Sequence, residues 1–170
     1  MIRSLDGVMP QIHHTAFVSE SAYVVGDVEI GENSSVWPGT VIRADNGKIS
    51  IGANTCIQDN SVVHGDDDVT IGDNVAIGHR VMCHAGSVGE GTLIGNGAVV
   101  NDGAEIGEGS LIASGAMVIE RMQIPPRSMV LGVPAKIRGE VANRHSQLIQ
   151  STVDHYVLKG QRYKRQGDLE

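Results

Sequence analysis

The sequence predicts an all-β chain: a parallel β-helix of hexapeptide repeats, three strands to a coil, with one C-terminal α-helix packed along it. Three observations carry this. Aliphatic residues recur at every sixth position, glycines number 22, and aromatics are limited to one Phe, one Trp and three Tyr. An amphipathic helix needs apolar residues at a period of about 3.6, and a half-buried strand needs a period of two. Period six is neither.

The first element is the run Ile12, Val18, Val24, Ile30, Val36 and Ile42. After a slip of three residues the count resumes at Ile51, Ile57 and Val63, and after a slip of two at Ile71, Ile77 and Cys83. One residue is then lost, and the pattern continues through Val88, Ile94, Val100, Ile106, Ile112, Val118, Ile124 and Val130. Four places after most of these stands a short residue, such as Ala16, Ser34, Thr40, Thr55, Ser61, Ala98 or Ala116. Gly often follows the aliphatic directly, as in IGENSS, IGANTC, IGDNVA and IGEGSL. Short parallel strands, each about one hexapeptide long and stacked about 4.8 Å apart, satisfy this pattern. Gly, Asn and Asp supply the unusual backbone conformations of the tight turns. The narrow triangular interior takes one aliphatic side chain per side and excludes a bulky aromatic core.

The coil is expected over residues 1–138, ending where LGVPAKIRG leaves it through Pro134. Residues 139–166 are expected as a helix of the same domain, with 167–170 a tail. Val141, Leu148, Ile149, Val153, Tyr156 and Val157 fall at helical spacings and form an apolar stripe against the prism. A chain of 170 residues fits one domain.

A net charge of −7 argues against a nucleic-acid partner held by phosphate neutralisation. No apolar run approaches the roughly 20 residues that span a bilayer, so no membrane partner is expected. The opening MIRSLDGVMPQIHHTAF has no apolar segment suited to a signal peptide, and a cytoplasmic protein is the expectation. Cys56 and Cys83 read as buried thiols, since two cysteines make no disulfide framework and their spacing fits no zinc knuckle.

Three of the seven histidines crowd into IQDNSVVHGDDDVTIGDNVAIGHRVMCHAG. His64 follows Val63 and His84 follows Cys83, each one residue past an inward position and hence outward-facing. Val63 and Cys83 occupy the same side of successive coils, so the two imidazoles stack about 4.8 Å apart. That is close enough for both to bind one ion at about 2.0 to 2.1 Å. His79 lies two past Ile77, on the preceding side, and points away from the pair. In an assembly about a threefold axis parallel to the prism, His79 of one subunit can meet His64 and His84 of its neighbour. Each such site keeps an open position, as catalytic zinc does. Arg43, His64, His84 and Asn101 form one column up the prism, and Gln58 takes the corresponding place on the side that carries His79.

RADNG at 43–47, IQDNSVVHG at 57–65, IGHRVMCHAG at 77–86 and LGVPAK at 131–136 together resemble the gamma-class carbonic anhydrases over nearly the whole chain. The histidine set is the specific part; LGVPAK also occurs in hexapeptide acyltransferases. The resemblance implies a left-handed parallel β-helix, a homotrimer, and reversible hydration of CO2 to bicarbonate by a metal-bound hydroxide. It implies His64, His79 and His84 as ligands of Zn2+, with Fe2+ or Co2+ also suited to imidazole. It further implies an Arg43–Asp45 ion pair at the subunit interface, Gln58 bonded to the hydroxide, Asp59 in support, and Tyr156 as a site residue from the terminal helix. As a member of the apolar stripe, Tyr156 has a packing role open to it as well. Asn46 stands where the family prototype has Glu, and the short GDDDV replaces its acidic loop, so proton shuttling by those carboxylates is in doubt.

Two other classes of function fit the same repeats. A hexapeptide acyltransferase or CoA-thioester hydrolase would use one histidine as a general base and would not need three convergent imidazoles. A non-catalytic metal-binding or assembly protein would keep the trimer and the metal for structure.

Overall fold

The sixth-residue aliphatics fall into three columns in the computed structural model, which describes residues 1–166. The first column stacks Val24, Ile42, Val63, Cys83, Val100 and Val118 in parallel register. The second stacks Ile12, Ile30, Ile51, Ile71, Val88, Ile106 and Ile124. The third stacks Val18, Val36, Ile57, Ile77, Ile94, Ile112 and Val130. All are buried except Ile12 and Val18 in the first coil, which have no coil below them. The chain is therefore a three-sided parallel β-solenoid with one continuous aliphatic core.

The strands are less uniform than one hexapeptide each. Most have two ladder residues, because the ladder occupies only the middle of a side. Tyr23–Ile30 and Val41–Ile51 instead run on from the first side to the second, and the three-residue slip falls inside the longer one.

The corners explain the short residues. Ser34, Thr55 and Ser61 are buried, and a buried hydroxyl must be bonded. Each bonds twice to the next coil. Ser61 Oγ donates to the Gly78 carbonyl at 2.7 Å and accepts from the Val81 amide at 3.0 Å. Thr55 does the same with Gly72 at 2.8 Å and Val75 at 3.0 Å. Asn33, Asn54 and Asn74 take left-handed φ near 55° at one corner and form a side-chain ladder, with Asn54 Nδ2 donating to Asn74 Oδ1 at 3.2 Å. Glycine after the aliphatic follows from the close stacking of coils. A Cβ on Gly31 would lie 2.6 Å from the Gly52 carbonyl carbon.

The outer surfaces of the three sides differ. On the second side the outward ladder is polar throughout: Gln11, Glu29, Ser50, Thr70, Ser87, Glu105, Gln123. On the third side, Cys56, Ala76 and Leu93 lie under the helix Asn143–Gln166, through Val153, Tyr156 and Val157. Phe17, Trp37, Tyr156 and Tyr163 cluster there with ring centroids 5.1 to 5.7 Å apart. The aromatics that the prism cannot hold fasten the helix to it. On the first side, Tyr23, Val41, Val62, Met82, Val99 and Met117 make an apolar outward ladder.

The helix begins at Asn143 rather than 139, because Lys136–Glu140 pairs antiparallel with Ser128–Leu131. Of the expected stripe, Ile149 and Val153 are buried, whereas Leu148 is exposed and Val141 is buried ahead of the helix. The tail 167–170 lies outside the described residues. Among the described residues, no helix is long and apolar enough to cross a membrane.

Candidate metal centre

On the first side, the pairing Arg43 to His64 and Val63 to Cys83 stacks Arg43, His64 and His84 in one column. His64 Nδ1 lies 2.9 Å from His84 Nε2, with ring centroids 4.9 Å apart. The other nitrogen of each ring faces a carboxylate: His64 Nε2 is 2.8 Å from Asp45 Oδ1 and His84 Nδ1 is 3.3 Å from Asp102 Oδ1. Asp45 also ion-pairs with Arg43. The His64 hydrogen bond, aided by the Arg43 charge, holds the Asp45 carboxyl below the usual carboxylate range. A carboxylate can only accept, so it fixes the N–H of each neutral ring on the side facing it. The two remaining nitrogens then converge, close enough to share a proton or to hold a cation between them.

His79 sits in the turn after Ala76–Ile77, at the corner between the third side and the first. Its Nδ1 is 3.0 Å from Asp59 Oδ2 and its Nε2 is 3.4 Å from the Tyr156 hydroxyl. Gln58 is buried beside it, with Nε2 3.7 Å from Cys56 Sγ. A cleft of about 260 Å³ is lined by Gln58, His79, Asn96, Thr152 and Tyr156. Burial, aided by the Asp59 charge, pushes the Tyr156 phenol up to about 12, so it stays a neutral donor.

The residues expected at one site thus divide into two groups within a single chain. Arg43, Asp45, His64 and His84 stand on the first side; Gln58, Asp59 and His79 stand toward the corner where the third side meets the first, and Tyr156 reaches them from the helix. Asp59 contacts His79 rather than Gln58. The group that joins His64 and His84 is Asp66, with one ligand atom from each of the three residues within 4.8 Å of the others. Asp102 lies off the column expected from the repeat. Counting along the coils points to Asn101 above His84, but Asn101 Nδ2 donates to the Val118 carbonyl at 2.6 Å and Asp102 meets the ring instead.

All three histidines have an aspartate on one nitrogen; the other nitrogens of His64 and His84 face each other, and that of His79 faces the Tyr156 hydroxyl. Metal-binding histidines are oriented by such outer carboxylates. The donor set therefore fits a divalent ion of the zinc, iron or cobalt type.

The family model described as bacterial transferase hexapeptide (six repeats) matches residues 9–44 and 86–120. A carbonic anhydrase of Geobacillus kaustophilus is 40% identical over 96% of this chain and 91% of its own length. The mitochondrial gamma carbonic anhydrase 1 of Arabidopsis thaliana is 38% identical over 86% of this chain, which spans 56% of that relative. Among solved structures, a hexapeptide transferase family protein from Anaplasma phagocytophilum superposes with a TM-score of 0.92 at 35% identity, covering 95% of this chain and 97% of that one. With its six-residue period, its paired histidines and relatives matched along almost its whole length, this chain belongs to the gamma-class carbonic anhydrase family of hexapeptide-repeat proteins.

Proposed function

We propose that the protein hydrates CO2 reversibly to bicarbonate, at metal sites shared between the subunits of a homotrimer. The observation that carries this is the convergence of His64 Nδ1 and His84 Nε2 at 2.9 Å, both other nitrogens being held by aspartates. His64 and His84 of one subunit and His79 of the next would hold the ion, Zn2+ or, with the same ligands, Fe2+ or Co2+. A bound zinc of this kind lowers the pKa of its water from 15.7 to about 7 and so supplies the nucleophile for hydration.

The chain's own residues do the remaining work. Asp45, Asp59 and Asp102 each hold one imidazole nitrogen and so orient the opposite nitrogen of each ring. Gln58, buried next to His79, carries the amide suited to orienting the attacking oxygen. Arg43 anchors Asp45. The outward apolar ladder Tyr23–Met117 supports assembly, because it flanks the histidine column and no described element of the chain covers it. Apolar surface of that extent marks an interaction face.

Stopped-flow CO2 hydration tests the reading, on anaerobically prepared protein of measured metal content with and without a chelator. Turnover that scales with metal and disappears on chelation is expected. Full occupancy without turnover would overturn it. A second reading, acyl transfer or thioester hydrolysis, is favoured by the His79–Asp59 pair beside its cleft and by the transferase-named structural relative. There His79 would act as general base. Acyl-CoA turnover that survives chelation would select it.

A further inference from the structure

The two-sided division of the histidines raises the question of what completes the metal shell in an unassembled subunit. Among the described residues, Asp66 is the one acidic residue that brings a ligand atom within 4.8 Å of ligand atoms on both His64 and His84. It sits in the turn directly after the strand Val62–His64, where the two-residue slip of the repeat falls. Its Oδ1 is 3.5 Å from Asn46 Nδ2, a long contact that leaves the carboxylate free to take another partner. His64 and His84 are already aligned by Asp45 and Asp102, so neither needs a neighbouring subunit to orient it.

We propose that a single chain binds a divalent ion by itself, on His64, His84 and the Asp66 carboxylate, and that His79 of a neighbour takes the place of Asp66 on assembly. This rests on the metal reading above and adds to it a loading site contained in one subunit. Two imidazoles and one carboxylate with open positions form a recognised divalent-metal set. The substitution of a neutral imidazole for a carboxylate also removes one negative charge from the shell as the ion becomes buried between subunits.

The test uses Co2+ as the probe, with the full chain, read by visible absorption and by metal content after desalting. The unaltered protein is expected to bind about one Co2+ per chain. His79→Ala should retain that stoichiometry at lower affinity, and Asp66→Asn alone should leave stoichiometry unchanged. His79→Ala with Asp66→Asn should bind more than about 100-fold more weakly than His79→Ala, beyond what loss of an outer-shell partner costs. Circular dichroism controls for folding, and His79→Asn replaces His79→Ala where the latter misassembles. Loss of all Co2+ by the His79 variants alone would overturn the inference, as would a double variant that binds like the single one. Those results leave the shared trimer site standing. Failure of the unaltered protein to bind Co2+ would instead remove the metal reading and this inference together.

Discussion

His84 Nδ1 lies 3.3 Å from Asp102 Oδ1, one coil step along the prism, and this contact decides which nitrogen His84 turns toward His64. With the N–H committed to the carboxylate, Nε2 keeps its lone pair for a ligand. Asp102→Asn should therefore weaken Zn2+ binding by about 10- to 100-fold, the usual cost of losing an outer partner. Competition with a chromophoric chelator measures this. The melting temperature should hardly move, since an exposed pair is worth about 0 to 1 kcal/mol. Unchanged affinity would reduce the contact to a surface ion pair.

The thiols give a prediction about pH. Burial pushes Cys56 from 9.0 up to about 12 and Cys83 from 9.0 up to about 11. Neither should react with a disulfide reagent at pH 8 until the chain unfolds, and both should react fully in denaturant. Linkage has a definite sign here. The unfolded chain loses these protons near pH 9.0 while the folded chain keeps them to about 11 or 12. Their contribution to stability is complete below pH 9.0 and is lost as pH rises through that window. Denaturant midpoints between pH 7 and 11 check this, and a midpoint that rose above pH 9 would contradict it.

The corner hydroxyls should matter as much as some core methyls. Ser61 Oγ joins two coils through Gly78 and Val81, beneath the turn that carries His79. Ser61→Ala leaves a buried carbonyl and amide without that partner, at a cost of about 1 to 3 kcal/mol. Ile57→Ala, at a fully buried position of the third column, should cost about 2 to 5 kcal/mol. Ser50→Ala, on the polar outer ladder, should stay within about 0.5 kcal/mol. Urea midpoints separate the three, and equal values for Ser61→Ala and Ser50→Ala would contradict the bridging role.

The fold was legible because one aliphatic per side is the only filling a narrow prism admits, so Ile42, Val63 and Cys83 keep step through insertions that corners absorb. The His64 and His84 stack was legible for the same reason, each being a fixed step past an inward residue. Asp66 and Asp102 are not legible in the same way, because they lie three and two residues past the inward Val63 and Val100, where the chain turns the corner. There the direction of a side chain depends on local φ, as at Gly103 with φ of 61°. The early end of the coil misled the helix boundary: Lys136–Glu140 is exposed at every residue, so the strand leaves no burial pattern to read.

The division of the histidines between two sides yields the sharpest test of a shared site. His84→Ala removes one half of the site and His79→Ala the other, so each homogeneous variant should be almost inactive in CO2 hydration. In a mixed trimer, a site recovers when the subunit with intact His64 and His84 faces one with intact His79. Random assembly from equal amounts gives that pairing at about one site in four. Co-refolding the two inactive variants should therefore restore about a quarter of the unaltered activity, and varying the mixing ratio should trace a maximum at equality. A site built within one chain would recover nothing at any ratio, because each subunit would still carry its own defect.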